Sequence, residues 1–123
     1  MIILTQELFN ERFENLNNLN SDNAILKINN TTNTPAIIDF NAEWCAPCKA
    51  LHPILQSVSM EHVSEIDIYT VNVDIEKEIS IAFGIRSIPT LYFINSTGEI
   101  SVKTGMMSKD SLKKLIKEKF NID

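Results

Sequence analysis

Ala36-Ile37-Ile38-Asp39-Phe40-Asn41-Ala42-Glu43-Trp44-Cys45-Ala46-Pro47-Cys48-Lys49 is the run from which the architecture of this chain can be read. Ala36 to Phe40 is continuously apolar except for one carboxylate, which suits a strand buried on both faces. Leu51, Ile54, Leu55 and Val58 follow at helical spacing and place a helix immediately after the cysteines. The Cys45-x-x-Cys48 pair therefore sits between a buried strand and the start of a helix. There, unpaired backbone N–H groups and the helix dipole favour negative charge on the first sulfur. A thiol so placed has a lowered pKa and attacks a disulfide as its thiolate. Cys48, one turn further in, is spaced to attack the resulting mixed disulfide.

Other uses of the pair are weaker. Cys45 and Cys48 are the two cysteines of the 123-residue chain, and closing so short a loop removes little unfolded-state entropy, so they make a poor staple. A zinc half-site would need two further ligands. The histidines are His52, one turn past Cys48, and His62, expected on the surface at the helix end. Inert buried thiols are the remaining alternative.

On either side of this run, helical and strand patterns alternate. Ile2-Ile3-Leu4 reads as a short strand, and Thr5 as the cap of a helix carrying Leu8, Phe9, Phe13 and Leu16 on one side. Ile66 to Val73 has the β-branched and aromatic content of a strand. Ile79, Ala82 and Phe83 mark a short helix that Gly84 can end in a left-handed conformation. Thr90 to Ile94 and Ile100 to Lys103 flank the turn signal Asn95-Ser96-Thr97-Gly98, as in a hairpin. Ser108 caps a last helix bearing Leu112, Leu115, Ile116 and Phe120. Between Asn15 and Asn33 lies an Asn-rich stretch of turn-forming residues, within which Ala24 to Ile28 reads as a short strand or a buried loop anchor. The order βα-β-αβα-ββα predicts an α/β fold with helices on both sides of a mixed central sheet.

Composition sets limits. The length suits one domain, residues 1–123, and 44% apolar content suits a globular core. A formal charge of −5 argues against nucleic-acid binding, which needs a basic face; Lys113, Lys114, Lys117 and Lys119 read as a solvated helix side. No run approaches the length of a membrane span. The start has no basic segment ahead of an apolar one, so the plain reading is cytoplasmic, although an exported chain whose leader had been removed would read the same.

From Ala36 to the C-terminus the sequence resembles the thioredoxin family. The resemblance is carried by Asp39 to Lys49, Pro53 within the helix, Arg86-Ser87-Ile88-Pro89-Thr90, Asn95 to Glu99, and Gly105. It implies a thioredoxin fold and a protein-disulfide reductase, a thiol–disulfide oxidoreductase serving electron transport and cell redox homeostasis. Cys45 would be the nucleophile and Cys48 the resolving thiol. Asp39 would be a buried carboxylate with a raised pKa, able to take the Cys48 proton. Trp44 would flank the pair and cover its edge, with Ala46 and Pro47 between the sulfurs and Gly105 close by. Pro89 would follow a cis bond, leaving the Ile88 backbone free for an extended client and keeping metal from the thiols. No metal and no cofactor beyond the redox-active Cys45–Cys48 disulfide are implied. The implied partners are client proteins with disulfides and a separate thioredoxin reductase, an NADPH-dependent flavoprotein; the chain would act as a monomer. A scaffold in which the thiols are incidental is the rival binding-module reading.

Four departures from the family pattern stand out. Ala46 replaces the usual glycine and stiffens the turn. With no histidine between the cysteines, a reducing poise like that of the family's reducing members, on the order of −270 mV, is expected. Asn41 replaces a common aromatic residue and is read as altering the docking surface. Thr70 stands where a lysine usually neighbours the aspartate, which should leave Asp39 harder to ionise. Residues 18–35 form a variable loop or extension, read as surface decoration or a partner-selecting edge.

Overall fold

The computed structural model describes residues 1–19 and 25–122. A five-stranded mixed sheet runs in the order β1-β3-β2-β4-β5, built from β1 (Ile2–Ile3), β2 (Ala36–Asn41), β3 (Asp67–Asn72), β4 (Thr90–Ile94) and β5 (Ile100–Thr104). β1 and β2 lie parallel to β3, whereas β4 is antiparallel to β2 and β5. The helices are α1 (Gln6–Arg12), α2 (Ala46–Glu61), α3 (Lys77–Ala82) and α4 (Lys109–Phe120).

Strand alternation sorts the core into two layers. Ile38 and Phe40 of β2 join Phe9, Ile79 and Phe83 on the side of α1 and α3, with Tyr69, Val71 and Tyr92. Aromatic rings dominate here: Phe40 and Phe83 stand 5.3 Å apart, and Phe83 meets Tyr92 edge-on at 4.9 Å. Ile37 of the same strand packs on the other side with Leu51 and Leu55 of α2 and Leu112 and Ile116 of α4. β2 is thus buried on both faces, as its composition predicts. Glu61 clasps α2 to α4, with Lys109 Nζ at 2.6 Å and Lys113 Nζ at 3.2 Å.

The local signals behave as their chemistry requires. Thr5 Oγ1 accepts from Leu8 N–H and Ser108 Oγ from Ser111 N–H, capping α1 and α4. Gly84 ends α3 with φ +62°. β3 is shorter than Ile66 to Val73, because Ile66 N–H turns back to the His62 carbonyl, and β5 extends to Thr104.

Two expectations need correction. α1 does not run on to Leu16: it stops at Arg12, and Leu16–Asn18 form a separate 3-10 turn. Asparagine side chains cause the break by competing for backbone donors. Asn10 Oδ1 takes Leu16 N–H and Asn15 Oδ1 takes Asn17 N–H, yet Phe13 and Leu16 still reach the core. His62 is not a surface residue. It is buried where α2 ends, its Nδ1 3.4 Å from Glu65, because the chain folds back over it through a Glu65 N–H to His62 carbonyl bond.

Within the Asn-rich stretch, Ala24 lies outside the described residues, while Leu26 to Ile28 run beside the β4–β5 turn. Ile28 N–H donates to the Gly98 carbonyl, Ile100 N–H donates to the Leu26 carbonyl, and Lys27 bridges Glu99. A Cβ on Gly98 would strike the Ile28 backbone, and its φ is +89°; this approach requires glycine.

Candidate active site

The site lies where β2 ends and α2 begins. Cys45 is the cap of α2: its Sγ accepts from Cys48 N–H at 3.3 Å, and Ala46 and Pro47 open the helix. Proline fits this first turn, where no intrahelical donor is needed. The two cysteines are joined as a disulfide, with Cα atoms 5.3 Å apart. Both are buried against Ala42, Val73 and Ile88. Pro53 lies inside the same helix.

The loop before β4 closes over the pair. The Ile88–Pro89 bond is cis, and the Ile88 carbonyl lies 3.9 Å from Cys45 Sγ. Thr90 Oγ1 donates to the Ser87 carbonyl at 2.6 Å and fixes the loop. Gly105 donates its N–H to the Pro89 carbonyl at 2.8 Å. Its φ is +90° with open space where a Cβ would stand, so backbone conformation rather than room is what this position asks of glycine.

Trp44 stands immediately before Cys45. Its ring is 71% exposed, and its Nε1–H donates to Asp74 Oδ2 at 2.8 Å. With Val73, Ile81, Ile85 and Ile88 it lines an apolar groove of about 350 Å³, edged by Lys77 and Arg86.

Asp39 occupies the α2 face of β2, 2% exposed. A recess of about 170 Å³ is lined by Asp39, Asn41 and Cys48, together with Glu43, Lys49 and His52. Burial pushes the Asp39 carboxyl up to about 6, while the Asn41 hydrogen bond pulls the other way. Asn41 Nδ2 donates to Asp39 Oδ2 at 3.1 Å and to Thr70 Oγ1 at 2.7 Å. Asp39 Oδ1 is buried with no partner among the described residues. Asn41, which replaces a common aromatic residue, thus has its amide engaged with the carboxylate while standing on the wall of the recess. The signal lay in the i, i+2 spacing of Asp39 and Asn41, which puts both side chains on one face of a strand. His52 and His62 are not brought together with the cysteines as a ligand set, and no metal-holding cluster occurs among the described residues.

A cysteine sulfur at a helix start, a second sulfur bonded to it and a buried carboxylate in the recess that the second lines are the parts of a thiol–disulfide exchange protein. The thioredoxin family model matches residues 12–118. A thioredoxin of Borreliella burgdorferi is 44% identical over 86 residues, covering 70% of this chain and 74% of that protein. One from Chlamydia caviae is 43% identical over 82 residues (67% and 79%), and one from Rickettsia typhi 33% over 98 residues (80% and 90%). The chain belongs to the thioredoxin family of thiol–disulfide oxidoreductases.

Proposed function

We propose that this chain is a protein-disulfide reductase acting on client proteins. The Cys45 thiolate attacks one sulfur of a client disulfide; that S–S bond breaks, and a bond from Cys45 to the client forms. Asp39 accepts the Cys48 proton, and the Cys48 thiolate attacks Cys45 Sγ. The bond from Cys45 to the client breaks, the two client sulfurs take up one proton returned from Asp39 and one from water, and the client leaves as a dithiol while the Cys45–Cys48 disulfide remains. Two electrons then come from a separate thioredoxin reductase, an NADPH-dependent flavoprotein, with no cofactor bound to this chain. A cytoplasmic monomer maintaining cell redox homeostasis is the setting that fits this cycle.

The observation that carries the reading is the shared placement of Cys45 as cap of α2, Cys48 bonded to it, and Asp39 in the recess that Cys48 lines. Ile88 and Pro89 support it by placing a backbone carbonyl beside the attacked sulfur. The test is insulin reduction driven by NADPH and a thioredoxin reductase. Cys45→Ser is expected to abolish turnover, while Cys48→Ser accumulates a mixed disulfide between Cys45 and insulin. Turnover by Cys45→Ser at the native rate would defeat the reading.

A further inference from the structure

We propose that Asn41 is a positioning residue for the exchange chemistry: its amide, braced by Thr70, grips one carboxylate oxygen of Asp39 and leaves the other free to take the proton of Cys48. The inference rests on the reductase reading for the role of Asp39, but its geometry stands apart from that role.

Asp39 and Asn41 are two residues apart on β2, and Thr70 is the direct partner of Asp39 on β3. The three side chains therefore share the face that meets α2. Asn41 Nδ2 has three oxygens in reach: Asp39 Oδ2 at 3.1 Å, the Asp39 carbonyl at 3.2 Å and Thr70 Oγ1 at 2.7 Å. The carboxylate and carbonyl oxygens accept only, so the amide must present its nitrogen to them. Thr70 fixes the side chain from the neighbouring strand. The grip falls on Oδ2 alone, while Oδ1 is buried without a partner among the described residues. A carboxylate held at one oxygen cannot rotate freely, and its open oxygen is the one left to receive a proton.

The surroundings supply little else to hold the ionised form. Thr70 and Leu91, the strand partners of Asp39, carry no charge. On the recess wall the titratable groups are Cys48, Lys49 and His52 of α2 and Glu43 of the preceding loop, with Lys49, His52 and Glu43 exposed. Where a lysine beside the aspartate would act by charge, Asn41 acts as a neutral donor that does not itself titrate. Such a bond to a carboxylate favours the ionised form, against the burial that disfavours it.

The test follows the Asp39 carboxylate by ¹³C NMR across pH in the oxidised protein, so no exchange activity enters the readout. Asn41→Ala is expected to raise the Asp39 midpoint by about one pH unit, a tenfold loss of ionised fraction on the acid side. Thr70→Val, which removes only the brace, is expected to raise it by less, and carries the test should Asn41→Ala fail to fold. Adding Thr70→Lys to Asn41→Ala should bring the midpoint back down by restoring a donor. A packing role alone would move the melting temperature and leave the midpoint in place. An unmoved midpoint in Asn41→Ala, or in Thr70→Val if that variant alone folds, overturns the proposal. A raised midpoint with unchanged insulin reduction would show a grip on the carboxylate that plays no part in exchange, and overturns the positioning role.

Discussion

Arg12 and Asp39 are both buried charged side chains, on opposite sides of one sheet, and their surroundings differ in kind. On the aromatic side, the Arg12 guanidinium donates to Tyr69 Oη at 3.0 Å, Asn30 Oδ1 at 2.6 Å, the Thr34 carbonyl at 2.9 Å and Asp67 Oδ2 at 3.2 Å. It also lies 4.7 Å above the Phe13 ring. On the other side, Asp39 keeps one oxygen held by Asn41 and one without a partner among the described residues. Arg12 ties the 30–34 loop and β3 to the end of α1, and every contact it makes is structural. Asp39 is held just enough to stay in place and too little to be content as an anion. An incompletely satisfied buried group marks where a fold gives up stability for chemistry.

Substitutions at the two sites should have opposite signs. Arg12→Ala leaves Asn30, Tyr69 and Asp67 without their donor and is expected to cost about 3–4 kcal/mol in urea unfolding. The insulin-reduction rate of the folded fraction should not change. A cost below about 1 kcal/mol, the worth of a single ordinary hydrogen bond, would mean that these contacts hold little together.

Asp39→Asn is expected to stabilise. The folded-state value of about 6 lies above the ordinary carboxyl value of 3.8, so the unfolded chain ionises first. The stability that the proton supplies is complete below about pH 4 and is lost as pH rises through 6. Above pH 6 the native protein gives up about 3 kcal/mol that the variant retains. Paired urea titrations from pH 4 to 8 should show a gap that opens between those limits; a constant gap would refute the buried-anion account. The same variant should slow release of insulin from the mixed disulfide.

The smallest effect is expected at Thr90, whose hydroxyl is fully engaged with the Ser87 carbonyl. Thr90→Val should lower stability by about 1 kcal/mol with no dependence on pH, unlike Asp39. A pH-dependent loss there would blur the contrast between paired and half-paired groups.

What the sequence made legible was local. The buried strand before Cys45, the helix after it, the caps at Thr5 and Ser108 and the glycine at 84 each depend on neighbours within a few positions. Family resemblance added Asp39, which shares a recess with Cys48, and Pro89 and Gly105, which are bonded to each other through the backbone. What escaped reading depends on partners far along the chain. Arg12 reaches Asp67, 55 positions away, and Asn41 reaches Thr70, 29 away. His62 is hidden by a fold-back that no periodicity announces. The overrun of α1 has a local root instead: the Asn side chains at its end take backbone donors six and two positions away, and in a helical pattern they read as polar surface.

The run beside the hairpin turn has a consequence for how this protein behaves in crowded solution. β5 is the outermost strand on its side of the sheet, and an unpaired border of backbone donors and acceptors invites another chain to add itself. Leu26 to Ile28 occupy the near end of that border, and Lys103 sets a charge further along it. With the backbone groups of Gly98 and Ile100 already engaged by Leu26 and Ile28, less of that border is left open to intermolecular strand addition.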